Sequence, residues 1–221
     1  MRERCLGAPA RLPWAPGGGH GEHIMPFLAR LRRLFRPELQ EQLLGYSIEQ
    51  LKTQFGGKAS PDVSAPCSGF TLDLMERGVG ARYWQILLDA SDGARLWSLI
   101  DQGFEQDGEG YCSREGGKRL LLKVSDREFN ALTVRLVTDS EALLVALNEA
   151  GFAPPPPWVV FPEFEVRGWG GNLQGGQAYY EDLYLAPWFK AQGTEGRKAW
   201  FDRFEASEAW RQQLEERYQP D

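Results

Sequence analysis

Histidine is the scarcest chemistry-bearing residue in the chain. Only His20 and His23 occur among 221 residues, both within the first 24. Any mechanism that uses imidazole as a general base, and any histidine-containing zinc site, therefore depends on that stretch being folded. Cysteine is almost as rare. Cys5, Cys67 and Cys112 give neither a CxxC pair nor an even-numbered disulfide framework. This usage fits a reducing compartment, expected to be the cytoplasm, with the thiols as small core residues. Neither Cys67 nor Cys112 has a histidine nearby in sequence to activate it. No apolar run approaches the ~18 residues of a membrane span. Cations are outnumbered, 25 to 31, for a net charge of -6 and a pI of about 5.2. Such a surface repels phosphate backbones, so nucleic acid is not an expected partner.

What remains is ordinary globular composition, 42% hydrophobic and 25% charged, enough for one domain that needs no staple. Residues 1–24 are rich in Gly, Pro and Ala and have no apolar periodicity or secretory pattern. Gly21-Glu22 requires purine-rich codons at the distance a bacterial ribosome-binding site would occupy before Met25. The expectation is a start at Met25, with 1–24 an upstream extension read in error; the alternative is a disordered tail. Residues 25–221 then form a single α+β domain.

Within it, Phe27, Leu28, Leu31, Leu34 and Phe35 share a helical face between arginines. This helix, 26–36, is expected to dock on its own domain, with peripheral membrane contact as the weaker alternative. A second helix is expected over 37–55, with Pro37 in its first turn. FTLDL (70–74) and RYWQILLDA (82–90) read as strands, and Ser91-Asp92 as a helix cap. EQDGEG (105–110) reads as a loop. KRLLLKVS (118–125) and FNALTVRLV (129–137) form a hairpin around Asp126-Arg127-Glu128. Thr138-Asp139-Ser140 caps a helix closed by Gly151, and WVVF (158–161) reads as a strand. Three amphipathic stretches follow, 178–190, 195–205 and 208–218, the last capped by Ser207. Over 82–162 the order is strand, helix, strand, strand, helix, strand. That order implies a ferredoxin-like split βαβ core, a four-stranded antiparallel sheet with N-terminal helices and a C-terminal helical extension, 163–221.

Alternation sends Trp84, Ile86, Leu88, Leu120, Leu122, Leu132, Val134 and Leu136 toward the helices. The other face carries Tyr83, Gln85, Lys123, Thr133 and Arg135, either covered by the terminal helices or used for binding. The extension supplies a second candidate surface around the glycine-rich 168–177: Trp169 and Tyr180 as anchors, Tyr179 beside them, Glu181 and Asp182 at the rim. Aromatics with a charged rim typify interaction hot spots. Trp188, Trp200 and Trp210 are expected to be buried and Trp169 exposed.

Patterns that would carry chemistry are incomplete. Counted from Asp101, an EF-hand loop would need Gly at Gln106 and Glu at Cys112. GWGGNLQGGQ lacks the Gly-Lys-Ser/Thr ending of a phosphate loop. Glu163 and Glu165 could flank a sugar among the aromatics, but glycosidases work in larger clefts. The strand FNALTVRLV lacks the basic Gly-aromatic motif of an RNA-recognition domain. No cofactor or metal is expected. The leading expectation is a bacterial cytoplasmic, non-enzymatic protein-interaction module, such as an inhibitor or immunity-type partner. The alternatives are a small-molecule sensor with ligand between sheet and helices, and an enzyme using Asp/Glu, Tyr or Cys.

Overall fold

A computed structural model describes residues 42–56, 59–63 and 69–218. The segment 1–24, the basic helix expected over 26–36, both histidines, Cys5 and Cys67 lie outside the described residues.

The expected helix over 37–55 is corrected by a tight hairpin. β1 (Gln42–Leu43) and β2 (Tyr46–Ser47) pair around Leu44 and Gly45, both at positive φ, the backbone that a two-residue hairpin turn demands. α1 (Ile48–Phe55) begins only after Ser47, whose side chain and that of Gln50 cap each other's backbone N–H.

A six-stranded antiparallel sheet follows. Its strands are β3 (Phe70–Asp73), β4 (Arg82–Leu88), β5 (Phe104–Asp107), β6 (Gly110–Ser113), β7 (Arg119–Phe129) and β8 (Ala131–Thr138). The order across the sheet is β3-β4-β8-β7-β6-β5. α2 (Ala90–Gly103) leaves β4, and α3 (Glu141–Glu149) leaves β8.

Five sequence expectations change here. The sheet has six strands, not four. WVVF is not a strand: Pro157–Val160 is the single helical turn α4, with Pro157 at its start. Proline fixes φ and offers no N–H to a ladder, and the edge beside β4 is already taken by β3. EQDGEG is a hairpin, because Gly108, at φ 60, turns β5 into β6. The β7–β8 reversal lies at Asn130 rather than 126–128, with an irregular register between Ser125 and Phe129. The α2 cap is Asp89, which accepts from the Asp92 N–H at 2.8 Å, not Ser91-Asp92.

α2 and α3 cover one sheet face. Trp84, Ile86, Leu88, Leu120, Val134 and Leu136 pack there on Leu96, Ile100, Leu143 and Leu147, as the alternation implied. Leu122 and Leu132 join only partly buried. The larger loss is therefore expected at the centre: Leu136→Ala should cost about 2–5 kcal/mol in denaturant titration, and Leu132→Ala clearly less. A reversed ranking would misplace the centre of this core.

The opposite face has two covers. α1 and the β1–β2 hairpin lay Leu43, Leu51 and Phe55 against Tyr83, Leu121 and Val137. The rest is met by the C-terminal extension: a 3-10 turn (Val166–Gly170), α5 (Gly175–Tyr180), a π turn (Glu181–Leu185), α6 (Ala186–Ala191), α7 (Thr194–Arg203) and α8 (Glu208–Arg217). Ser207 caps α8. Trp188, Trp200 and Trp210 are buried. The Pro154–Pro157 run has no N–H groups, but its carbonyls accept from Trp200 Nε1 (2.9 Å, to Pro154) and the Tyr180 hydroxyl (2.6 Å, to Pro155).

Arg203 fastens α7 to the start of α2, donating to Asp89 Oδ2 at 2.5 Å, Asp92 Oδ2 at 3.0 Å and Ser91 Oγ at 3.0 Å. Burial pushes the Asp89 carboxyl up. The Asp92 N–H, the Ser91 hydroxyl and the Arg203 guanidinium outweigh burial and hold it below the usual carboxylate value. A depressed folded value stabilises the fold above the ordinary carboxylate range and loses that contribution as pH falls through it. Asp89→Asn should therefore flatten the acid limb of stability between about pH 5 and pH 3. An unchanged limb in urea titrations would remove Asp89 from that account.

Candidate functional site

Strand alternation places Tyr83 and Gln85 of β4 on the face turned away from α2 and α3. The register sets Gln85 opposite Arg135 on β8, and Arg135 opposite Lys123 on β7. This polar row crosses the sheet between the two covers. At its inner end Gln85 is 0% exposed.

All four hydrogen-bonding positions of the Gln85 amide are used. Its oxygen accepts from the Tyr83 hydroxyl at 2.7 Å and from Arg135 Nε at 3.2 Å. Its nitrogen donates to the Tyr179 oxygen at 2.8 Å and the Tyr184 oxygen at 2.5 Å. The amide orientation follows from Arg135, which can only donate and so must face the oxygen. Arg135 is held in turn by a two-pronged bond to Glu128, at 2.6 and 2.5 Å.

The π turn explains why two tyrosines five residues apart reach one amide. On an α-helix such residues point roughly 140° from each other. The i→i+5 bonding of a π turn brings them to one side, and the Tyr179 and Tyr184 rings lie 6.2 Å apart. Phe129, at the end of β7, packs on both and on Tyr180 and Phe161.

Burial raises the Tyr83, Tyr179 and Tyr184 hydroxyls above their ordinary value. For Arg135, burial works against the charge, but the Glu128 bond outweighs it and strengthens the proton's hold. The tyrosines are thus protonated at neutral pH, and none is poised to act as a base.

Tyr83, Gln85, Tyr179 and Arg135 therefore meet at one point, out of the ten candidate binding residues. Thr133 lies one strand position further on the same face, 0% exposed, with its Oγ1 unpartnered among the described residues. Lys123 is exposed at the outer end of the row. The other four belong elsewhere. Trp169, expected as an exposed anchor, is 0% exposed and sits among Phe161, Phe164, Tyr180 and Trp210. The glycine-rich segment 168–177 starts in the 3-10 turn and ends in α5. A Cβ on Gly168 would come within 2.8 Å of the Phe164 ring, and Gly175 needs its φ of +57. Tyr180 is buried, and Glu181 accepts from Arg217 and from the Tyr218 hydroxyl (2.6 Å) instead of rimming a surface. Asp182 is half-buried.

Tyr184 and Glu128 escaped the sequence reading. Tyr184 was hidden by the α-helical spacing rule, which sets it apart from Tyr179. Glu128 was hidden by its assignment to a turn.

Among the described residues, no group of three His, Cys, Asp or Glu could hold a metal, and no helix is long and apolar enough to cross a membrane. Clefts lie on the outer surface. One of 420 Å³ separates α2 from α3, lined by Arg95, Leu99, Ala146 and Glu149. One of 280 Å³ lies at the β5–β6 turn, lined by Tyr46, Asp107, Glu109, Arg119 and Leu121. Compared with protein-family models, with curated proteins and with solved structures, the chain has no match.

Proposed function

We propose that the protein is a non-enzymatic protein-interaction module of the bacterial cytoplasm, acting as an inhibitor or immunity-type partner. The observation that carries this reading is the closure of the Gln85 node. Between the sheet and the extension, where polar groups from both converge, every one of Gln85's hydrogen-bonding positions is spent on its own chain, and burial keeps the tyrosines protonated. Such a node fixes the extension to the sheet, which suits a rigid platform that recognises a partner with its outer surface. The acidic balance of the chain favours a protein over a nucleic acid as that partner.

Affinity purification of the full chain at native expression level, followed by native mass measurement, tests it. The expected result is a stoichiometric complex with one protein partner. A chain recovered alone, without self-association, would overturn the reading.

The sensor reading retains one supporting observation, the buried and unpartnered Thr133 Oγ1 between sheet and extension. A ligand there would have to displace part of the aromatic packing around Phe129. A metabolite panel that raises the melting temperature of wild type but not of Thr133→Val would favour the sensor over the interaction module.

A further inference from the structure

The outer edge of β7 is stepped. β6 pairs with it through Tyr111↔Leu120 and Cys112↔Arg119. Beyond that point β7 continues in regular register with β8 as far as Ser125. Among the described residues, no strand lies on its other side. In an antiparallel strand, alternate residues turn their N–H and C=O groups away from the neighbour, so Leu122–Ser125 presents a ladder edge that no described strand pairs with. The step is built closely: a Cβ on Gly110, where β6 begins, would come within 2.8 Å of Leu121 Cδ2 and 3.0 Å of the Leu120 carbonyl. Gly110 thus closes against β7 beside Leu121, and among the described residues no strand extends the line of β6 beside Leu122–Ser125.

Side chains around this slot carry a charge pattern. At the corner where β6 begins lies the 280 Å³ cleft, with the exposed carboxylates of Asp107 and Glu109. Arg119 holds Asp107 at 3.2 Å, and the Tyr46 hydroxyl donates to Glu109 at 2.9 Å. Both carboxylates are fixed in place with lone pairs to spare. Leu121, which lines the cleft, and Lys123 are on one face by alternation; Val124, 38% exposed, is on the other.

We propose that this slot receives an extended segment of the protein partner by strand addition, antiparallel to β7, with a basic residue at its corner end. This inference rests on the interaction reading and names its mode. Main-chain bonds to the ladder edge supply attachment, and alternate side chains supply selectivity. In that register an acidic residue faces Lys123, an apolar residue faces Val124, and the basic residue that follows leaves the ladder where Gly110 begins β6 and reaches into the carboxylate corner. The charges at Lys123, Asp126, Arg127 and Glu128, with the irregular register beyond Ser125, guard the edge against indiscriminate pairing.

The test uses the isotope-labelled full chain and a blocked hexapeptide, Val-Thr-Val-Glu-Val-Lys, at about millimolar concentration, where a contact this small binds. Controls are the same peptide with Glu and Lys exchanged, and one N-methylated along its backbone. With the first peptide, exchange of the outward-facing amides among Leu122–Ser125 should slow by at least about tenfold. Neither control should do this, and the double variant Asp107→Asn, Glu109→Gln, checked for unchanged melting, should lose the preference for Lys at the corner. Unaltered exchange with the first peptide would overturn the inference. So would edge amides already protected in the free monomer, which would mean that the chain covers its own edge, or protected only as the mass doubles, which would make a second copy the occupant. A stoichiometric partner complex in which these amides still exchange freely would sink strand addition while leaving the interaction reading intact.

Discussion

Trp169→Ala should lower the unfolding free energy by about 3–5 kcal/mol, the range for truncating a fully buried aromatic. The indole touches four other rings and has no exposed surface. Its neighbours come from the segment after α4 (Phe161 and Phe164), from α5 (Tyr180) and from α8 (Trp210), so the cavity cannot close by moving one side chain. Had Trp169 been a surface anchor, the same substitution would have stayed within about 1 kcal/mol and acted on binding alone. Guanidinium titration of the two proteins separates these outcomes. A loss under about 1 kcal/mol would contradict the packed turn around Gly168.

Gln85→Leu should be of similar size. The shape is nearly preserved, so no cavity term is expected, but the Tyr83 hydroxyl and Arg135 Nε lose their acceptor and the Tyr179 and Tyr184 oxygens lose their donor. Stranding buried polar groups costs roughly 1–3 kcal/mol each before relaxation. A total of about 2–4 kcal/mol is expected, because Arg135 keeps Glu128 and the tyrosines can turn toward each other. The position of the loss matters as much as its size. Amide exchange should quicken over 175–191, where the extension meets the sheet, and stay close to wild type over α2 and α3. Uniform quickening would mean that Gln85 supports the whole domain and not this junction in particular.

Much of the sheet was legible because period-two alternation is strong in β4, β7 and β8, and their inward residues needed no tertiary knowledge. The same alternation marked Tyr83, Gln85, Thr133 and Arg135 as a second face, but it could not say whether that face was open. The answer lies in Tyr179 and Tyr184, about a hundred residues away, and in a π turn that the spacing rules for α-helices do not represent. WVVF was misread because its β-branched and aromatic residues suit a strand, whereas Pro157 and the edge already filled by β3 decided otherwise. Trp169 was misread because glycine-rich composition suggests mobility equally well as close approach. Gly168 and Gly175 serve close packing and a positive φ, which only the fold reveals.

The central claim is that the extension is closed over the sheet through the Gln85 node, leaving the outer surface for a partner. Site-resolved NMR of ring-labelled tyrosine in the full chain, titrated from about pH 7 to pH 12, tests this most directly. The account predicts that Tyr83, Tyr179 and Tyr184 keep their hydroxyl protons while the domain is folded and ionise only together with its unfolding. If Tyr179 or Tyr184 titrates near the ordinary tyrosine value in the folded protein, the node is open and the account is wrong.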